Sequence, residues 1–377
     1  MRNDFPAIPL ALPSITDAEI DLVTSVLRSG WLAHGEYNDR FERAFAELVG
    51  TAHAVSINSC TSALEVALNA SDIRGEVVLP SFTWVATANA VAVSGAVPVF
   101  CEVDPATRNV TAAHIASRLT SATEAVIVVH YGGQPCPMEE IRRLCDARSL
   151  LLIEDSAQTL GATCNGRQAG SFGLGCFSFF PTKNITTCEG GMLTTNDDEI
   201  AGRVRALISH GVRRSTFSRE SADQPWVRAA EMPGHNFRMP NPLAAMGWVQ
   251  LSRLEEMNNR RTRLANQYRS ALKNLPLRLP GLVDRATHVY QMFTIEVDAE
   301  RRDHVLHCLR RERIGASVHF DPPVHLQPAY TALGWRQGDL PATESLSKRL
   351  ITLPIYPDMP SAYVDRVAVV LERALGS

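Results

Sequence analysis

Two residues of this sequence have the types and the placement for carbonyl–amine chemistry. Asp155 ends the apolar run LLLIED, and Lys183 follows a second run, GCFSFF, just ahead of the Gly-rich turn TTCEGG. A lysine amine forms a Schiff base with an aldehyde, and a carboxylate keeps a pyridine nitrogen protonated so that the ring takes up electrons. An amine and a carboxylate carried at two strand ends therefore suit pyridoxal 5'-phosphate (PLP). Each residue also has an ordinary reading. Most lysines are solvated, and an aspartate that follows a strand suits a helix N-cap.

A phosphate needs N–H and hydroxyl donors. The stretch NSCTSALEVALNA (58–70) opens with small polar residues and continues as a helix former. A helix N-terminus presents unpaired N–H groups and the positive end of its dipole, which puts Cys60 and Thr61 where an anion could bind. Capping by Ser59 or Thr61 alone needs no ligand. Trp84, in PSFTWVATANA, offers a planar surface to a ring or packs in the core. Arg238, in GHNFRM, faces an anionic group or pairs on the surface. The run GSFGLG (170–175) looks loosely like a dinucleotide-binding turn, but it leads into a strand instead of a helix, which argues against that class of oxidoreductase.

The elements that must position these groups are legible as short apolar runs alternating with helical patterns. Strands are expected at 52–57, 76–80, 97–103, 125–131, 150–155, 175–180 and 191–195. β-rich runs separated by helix-length segments argue for a mainly parallel sheet covered on both faces, which binds ligands beyond the carboxyl ends of its strands. His130, Asp155 and Lys183 all fall at or just past such ends. From Pro242 the pattern turns helical through about residue 273, until Pro276 and Pro280 stop it. Strands at 288–297 and 316–320, a helix near 302–313 and a final helix from about 361 follow. The expected division is a large α/β domain over 1–245 and a smaller C-terminal α/β domain over 246–377, linked by a long helix over 242–273.

Composition narrows the class. A chain of 377 residues, 45% hydrophobic and 20% charged, buries a large core. Its net charge of -3 gives no general attraction to nucleic acid or anionic membrane. The eight cysteines include no CxxC pair and no zinc-site spacing, so no metal is expected and they read as reduced thiols of a cytoplasmic protein. MRNDFPAIPLALP does not read as a signal peptide, and no apolar run is long enough for a membrane span.

In order and spacing, these segments resemble the DegT (DegT/DnrJ/StrS) family of nucleotide-sugar aminotransferases over nearly the whole chain. SFFPTKNITTCEGG resembles the family's Schiff-base lysine motif, and IEDSAQTLGA its EDAAQ segment. SGWLAHG (29–35), PPVHLQPAY and LPIYPDM (353–359) also resemble family segments. The resemblance implies a fold-type-I PLP transferase that alternates with pyridoxamine 5'-phosphate. It makes Lys183 and Asp155 catalytic and puts Gln158 near the cofactor ring and its phenolic oxygen. Trp84 would stack on the ring, and Ser178 would bind the phosphate. Cys60 and Thr61 fall where the family usually reads SGTAAL. Asn236 matches an asparagine that reaches the phosphate of the neighbouring subunit, which implies a homodimer with a shared active site. Arg238 and His325 would lie on the substrate side. The implied reaction moves an amino group from L-glutamate to a keto sugar, nucleotide-linked, by ping-pong turnover. An inosose or another cyclic ketone is the nearest alternative acceptor. A PLP-dependent sugar dehydratase is disfavoured, because such relatives carry histidine in place of Lys183. A catalytically silent homologue should lack cofactor residues that this chain retains.

Overall fold

The computed structural model describes residues 6–212 and 229–376. The apolar runs of the first half form β1 (His53–Ile57), β2 (Glu76–Pro80), β3 (Val97–Cys101), β4 (Thr123–Val129) and β5 (Leu151–Asp155). After a two-residue hairpin, β6 (Thr163–Cys164) and β7 (Arg167–Gln168), come β8 (Leu174–Ser178) and β9 (Gly191–Thr195). Except for the hairpin, these strands make one seven-stranded sheet in the order β1-β9-β8-β5-β4-β2-β3. β9 alone runs antiparallel to its neighbours; the other pairs are parallel. The mainly parallel mixed sheet expected of a fold-type-I transferase is present, with all seven strands at the expected places.

Helices cover both faces because each carries an apolar stripe that must leave water. The first half supplies α1 (Asp17–Ser29), α2 (Glu36–Val49), α3 (Cys60–Ala70), α4 (Val85–Val93), α5 (Ala112–Ala116), α6 (Met138–Arg148) and α7 (Asp198–Leu207). α3, α4 and α7 pack with Val77, Leu79, Ile127 and Ile153 on one face. α5 and α6 pack with Val78, Val126 and Val128 on the other. A third cluster joins α2 to the sheet through Phe45, whose ring lies 5.8, 4.9 and 5.7 Å from those of Phe41, Phe177 and Phe179.

The helical stretch expected over 242–273 is two helices, α8 (Asn241–Ser252) and α9 (Leu254–Leu272), which meet at Arg253 with φ -103° and ψ 0°. Arg253 is tied there by Glu19 Oε1 at 2.7 Å and by Ser14 Oγ at 2.9 Å. Beyond it, β10 (Phe293–Glu296), α10 (Ala299–Arg311), α11 (Pro328–Thr331), α12 (Pro341–Ser347), β11 (Leu350–Leu353) and α13 (Ser361–Gly376) complete the order. β10 and β11 pair antiparallel, and their apolar residues share a core with α9, α10 and α13.

Two C-terminal expectations need correction. The expected strand 288–297 is ordered as a strand only from Phe293, because Tyr290 adopts a left-handed φ of +46° that ends an extended run. The expected strand at 316–320 does not form. Its one bridge is Ser317 to Thr352, and Pro322 and Pro323, which lack N–H donors, follow after Asp321. The true partner of β10 is the short run LITL at 350–353, which was not read as a strand.

Candidate active site

Because β2, β4, β5 and β8 run parallel, their carboxyl ends reach one edge of the sheet. The register sets Asp155 beside Val129 on one side and Cys176 on the other. A cavity of about 470 Å³ opens at this edge, and its lining includes Cys60, Thr61, Trp84, Asp155, Gln158, Ser178 and Lys183. Seven of the ten expected site residues therefore meet in one place.

Asp155 is buried at the end of β5. Its Oδ2 accepts from Thr87 Oγ1 at 2.8 Å and its Oδ1 from the Ala157 N–H at 3.2 Å, with Cys60 Sγ 3.9 Å from Oδ1. Burial pushes the Asp155 carboxyl above its ordinary range, against these hydrogen bonds and the positive field of Lys183. Burial pulls the Lys183 ammonium down, and the Asp155 carboxylate opposes that pull. A cationic ring nitrogen beside Asp155 would restore the anion's balance. The same burial keeps the Cys60 thiol neutral, well above its usual value.

The loop that carries Lys183 is clamped rather than free. Lys183 N donates to Phe180 O at 2.9 Å, Arg261 Nη2 to Lys183 O at 3.3 Å, and Asn184 Nδ2 to Asn258 Oδ1 at 2.7 Å on α9. Opposite it, the first turn of α3 uses Ser59 to cap Ser62 N at 3.1 Å, and Ser59 O takes Ala63 N. The N–H groups of Cys60 and Thr61 are left as the helix's anion donors. The turn comes this close only because Gly191 has no side chain: a Cβ there would lie 2.5 Å from Ser59 C and 2.6 Å from Cys60 N.

Trp84 is 61% exposed despite its size and forms part of the cavity rim, 5.9 Å from the Phe320 ring. Gln158 Oε1 accepts from Gly132 N at 2.6 Å, so its amide NH₂ is the group offered elsewhere. A carboxylate in need of a cation, a reactive amine, a helix-end anion cradle and an exposed planar wall together fit PLP.

Three expected residues are not in the cavity wall. His325 is fully buried between Ser81 Oγ at 2.6 Å and Glu344 Oε1 at 3.2 Å, so it serves packing and not the entrance. Asn236 is exposed, and its Oδ1 accepts from Arg238 Nη2 at 2.8 Å. Asn236, Arg238 and His325 all lie outside this chain's cavity lining. His130, at a strand end as expected, is locked by Glu154 Oε2 at 3.0 Å and Cys136 N at 3.1 Å. The GSFGLG loop is spent on the same carboxylate, since the N–H groups of Gly170, Phe172 and Gly173 all donate to Glu154. Gly35 of SGWLAHG makes room for the Trp31 ring, not for a ligand.

The far wall holds residues that the sequence did not single out: Gln291, Met292, His319, Phe320 and Thr352. Thr87 was missed as well, although it lies one helical turn after Trp84, where a hydroxyl can reach the ligand edge. Among the described residues, one group could hold a metal, His34, Asp39 and Glu42, but Arg205 Nη1 already pairs with Glu42 at 2.7 Å.

Comparison with known proteins agrees with this geometry. Residues 13–372 match the DegT/DnrJ/EryC1/StrS aminotransferase family. The spore coat polysaccharide biosynthesis protein SpsC of Bacillus subtilis (strain 168) is 39% identical over 376 residues, covering 97% of this chain and 96% of SpsC. The aminotransferase TlmJ from Streptoalloteichus hindustanus superposes with a TM-score of 0.91 at 34% identity, over 98% of this chain and 99% of TlmJ. DesI, solved in the presence of its TDP-sugar product, gives a TM-score of 0.87 at 32% identity, over 99% of this chain and 93% of DesI. The chain belongs to the DegT/DnrJ/EryC1/StrS aminotransferase family and is a PLP-dependent sugar aminotransferase of fold type I.

Proposed function

We propose that this chain transfers the amino group of an amino acid, L-glutamate, to a nucleotide-linked keto-deoxysugar, in two half-reactions at one site. The observation that carries the reading is the convergence of Lys183, Asp155 and the α3 N-terminus on a single cavity. PLP, when bound, supplies an aldehyde that takes up the amine and a ring that spreads the electrons released when the Cα–H bond breaks. Lys183 anchors that aldehyde in the resting enzyme. Once freed by the donor, its amine would take the proton from the donor Cα, and the burial that lowers its pKa favours the unprotonated form this needs. Asp155 keeps the ring nitrogen protonated, and Thr87 and Ala157 N aim its two oxygens.

The remaining contacts orient. Ser178 and the N–H groups of Cys60 and Thr61 hold the phosphate, Trp84 covers one ring face, and Gln158 offers its NH₂ to the phenolic oxygen. Asn236 is exposed and outside its own cavity, which suits a role across a homodimer, with Arg238 beside it facing an anionic substrate group of the partner's site. Residues 1–245 form the cofactor-binding unit in this reading, and 246–377 the smaller unit that closes over it. The eight cysteines are all free, which supports a reducing, cytoplasmic setting. No helix among the described residues is long and apolar enough to cross a membrane.

The test is the visible absorbance spectrum of the protein with PLP, before and after L-glutamate. A band that bleaches with glutamate and returns with a nucleotide-linked keto sugar supports the whole reading. A protein with no band after PLP is supplied loses the cofactor assignment. A band that ignores glutamate but answers another amino acid corrects the donor alone.

A further inference from the structure

Thr83 carries a buried hydroxyl that the proposed chemistry does not use. It lies between β2 and α4, three residues past the end of the strand, and is only 1% exposed. A threonine beside a helix N-terminus ordinarily accepts from a backbone N–H of the first turn. α4 has no such side-chain cap. Trp84 stands at its N-cap, and Thr83 Oγ1 lies instead 2.9 Å from Thr87 Oγ1, one helical turn on. Thr87 is as deeply buried, and its hydroxyl is the one that reaches Asp155 Oδ2 at 2.8 Å.

The carboxylate sets the direction of both bonds. An ionised Asp155 only accepts, so the Thr87 proton is committed to it. The Thr87 oxygen keeps its lone pairs, and the proton between the two threonines then comes from Thr83. The result is a chain from Thr83 through Thr87 to Asp155 in a nearly dry place. Hydrogen bonds in such a chain polarise one another, so the Thr83 proton makes Thr87 a stronger donor and fixes its rotamer. Burial works against the anion by pushing the Asp155 carboxyl up, and the Thr87 bond is the largest of the effects that oppose it. The other oxygen, Oδ1, has Ala157 N at 3.2 Å and the Cys60 thiol at 3.9 Å, both longer contacts. The hold on the carboxylate therefore rests mainly on the Oδ2 side.

We propose that Thr83 is a positioning residue for the reaction, acting through Thr87 to hold the Asp155 carboxylate on the ring nitrogen of the cofactor. The proposal rests on the reading of Asp155 as the partner of that nitrogen, and it gives Thr83 no contact with substrate.

The experiment is a double-substitution cycle on the holoenzyme: Thr83→Val, Thr87→Val and the two together. Two signals are read, the rate of the glutamate half-reaction and, with no donor present, the pH midpoint of the cofactor's visible band. Thr83→Val should slow the half-reaction roughly fivefold, the range of one neutral hydrogen bond. A ring nitrogen held less firmly carries less positive charge, so the lysine–cofactor bond keeps its proton to higher pH. The midpoint should rise by about half a pH unit. In the Thr87→Val background the same substitution should change the rate by less than about twofold and leave the midpoint in place. Thr83→Ser keeps the hydroxyl and should match the parent in both signals. A loss that persists in the Thr87→Val background overturns the proposal, because Thr83 would then act on the ligand or the fold directly. Thr83→Ser as slow as Thr83→Val overturns it too, since the methyl group and not the hydroxyl would be at issue. So does Thr83→Val with the parent's rate and midpoint. Asp155→Ala separates the inference from the reading beneath it. If that variant keeps the parent's rate, the Asp155 assignment falls and the inference with it, whereas failure of the cycle alone leaves Asp155 in place.

Discussion

The two walls of the cavity are built on opposite terms. The wall at the sheet edge carries the charges, and several of its polar groups are held in place by the protein: Asp155 by Thr87 and Ala157 N, Ser59 by Ser62 N, Gln158 Oε1 by Gly132 N. The wall from the C-terminal half, with Gln291, Met292, His319, Phe320 and Thr352, holds no carboxylate, lysine or arginine among the described residues, and its Gln291 Nε2 donates to Thr182 O. The first wall is preorganised around one constant occupant. The second supplies shape and a buried imidazole in place of charge. Preorganised charge favours chemistry, whereas a neutral, shaped wall sorts substrates by fit.

The sharpest way to break this comparison is Lys183→Ala. It removes the only lysine amine in the cavity lining among the described residues, and proton transfer by a positioned base is worth about 10²–10⁴-fold. The glutamate half-reaction should slow by at least roughly 10³-fold, with circular dichroism unchanged. A variant within tenfold of the parent would move the chemistry off the first wall.

Gly191→Ala comes next. The added Cβ would meet Ser59 C at 2.5 Å and Cys60 N at 2.6 Å, backbone atoms with no rotamer to yield, so α3 must shift away from β9. PLP affinity, read by fluorescence titration of the apoprotein, should fall about tenfold or more, as a charge-assisted contact worth roughly 1.5–3 kcal/mol is lost. Unaltered affinity would mean that the phosphate lies elsewhere.

Thr87→Val sharpens the comparison more gently. It deletes the 2.8 Å hydrogen bond on Asp155 Oδ2 but leaves Ala157 N on Oδ1. Loss of a hydrogen bond to a charged group costs about 1.5–3 kcal/mol, so the rate of donor Cα–H cleavage should drop roughly ten- to a hundredfold. PLP affinity should change little. A fall in affinity matching the fall in rate would make Thr87 part of the binding bed instead.

The same contrast explains what the sequence disclosed. All seven main strands were legible because strands buried on both faces read as unbroken apolar runs, and Asp155 and Lys183 because the segments around them, IEDSAQTLGA and SFFPTKNITTCEGG, resemble family motifs. The second wall was not legible. Gln291 sits where Tyr290 turns left-handed and interrupts an apparent strand, and His319 sits in a run that looks extended but only bridges Thr352. Their places are set by contacts far along the chain, such as Met292 with Gly132 and Gln291 with Thr182, and local pattern carries no trace of these. His325 misled for the converse reason. The segment around it matched a family pattern, but the imidazole itself is enclosed by Ser81 and Glu344.

The smallest effect expected is in the acid stability of the second wall. Burial holds His319 near 4 and His288 near 3, while the unfolded chain takes up those protons near 6.5. A histidine depressed in the folded state contributes stability that is fully present above its unfolded value. That stability is lost as pH falls from about 6.5 towards 4, where the unfolded chain binds the extra proton first. His319→Gln keeps a hydrogen-bonding side chain beside Thr352 and removes this titration. The melting temperature of the variant should therefore fall less steeply than the parent's between about pH 6.5 and pH 4, with His288 still supplying part of the slope. Identical slopes would mean that His319 is protonated as readily in the folded protein as in the unfolded chain. The wall would then carry a positive charge under mild acid, and its contrast with the charged first wall would hold only at higher pH.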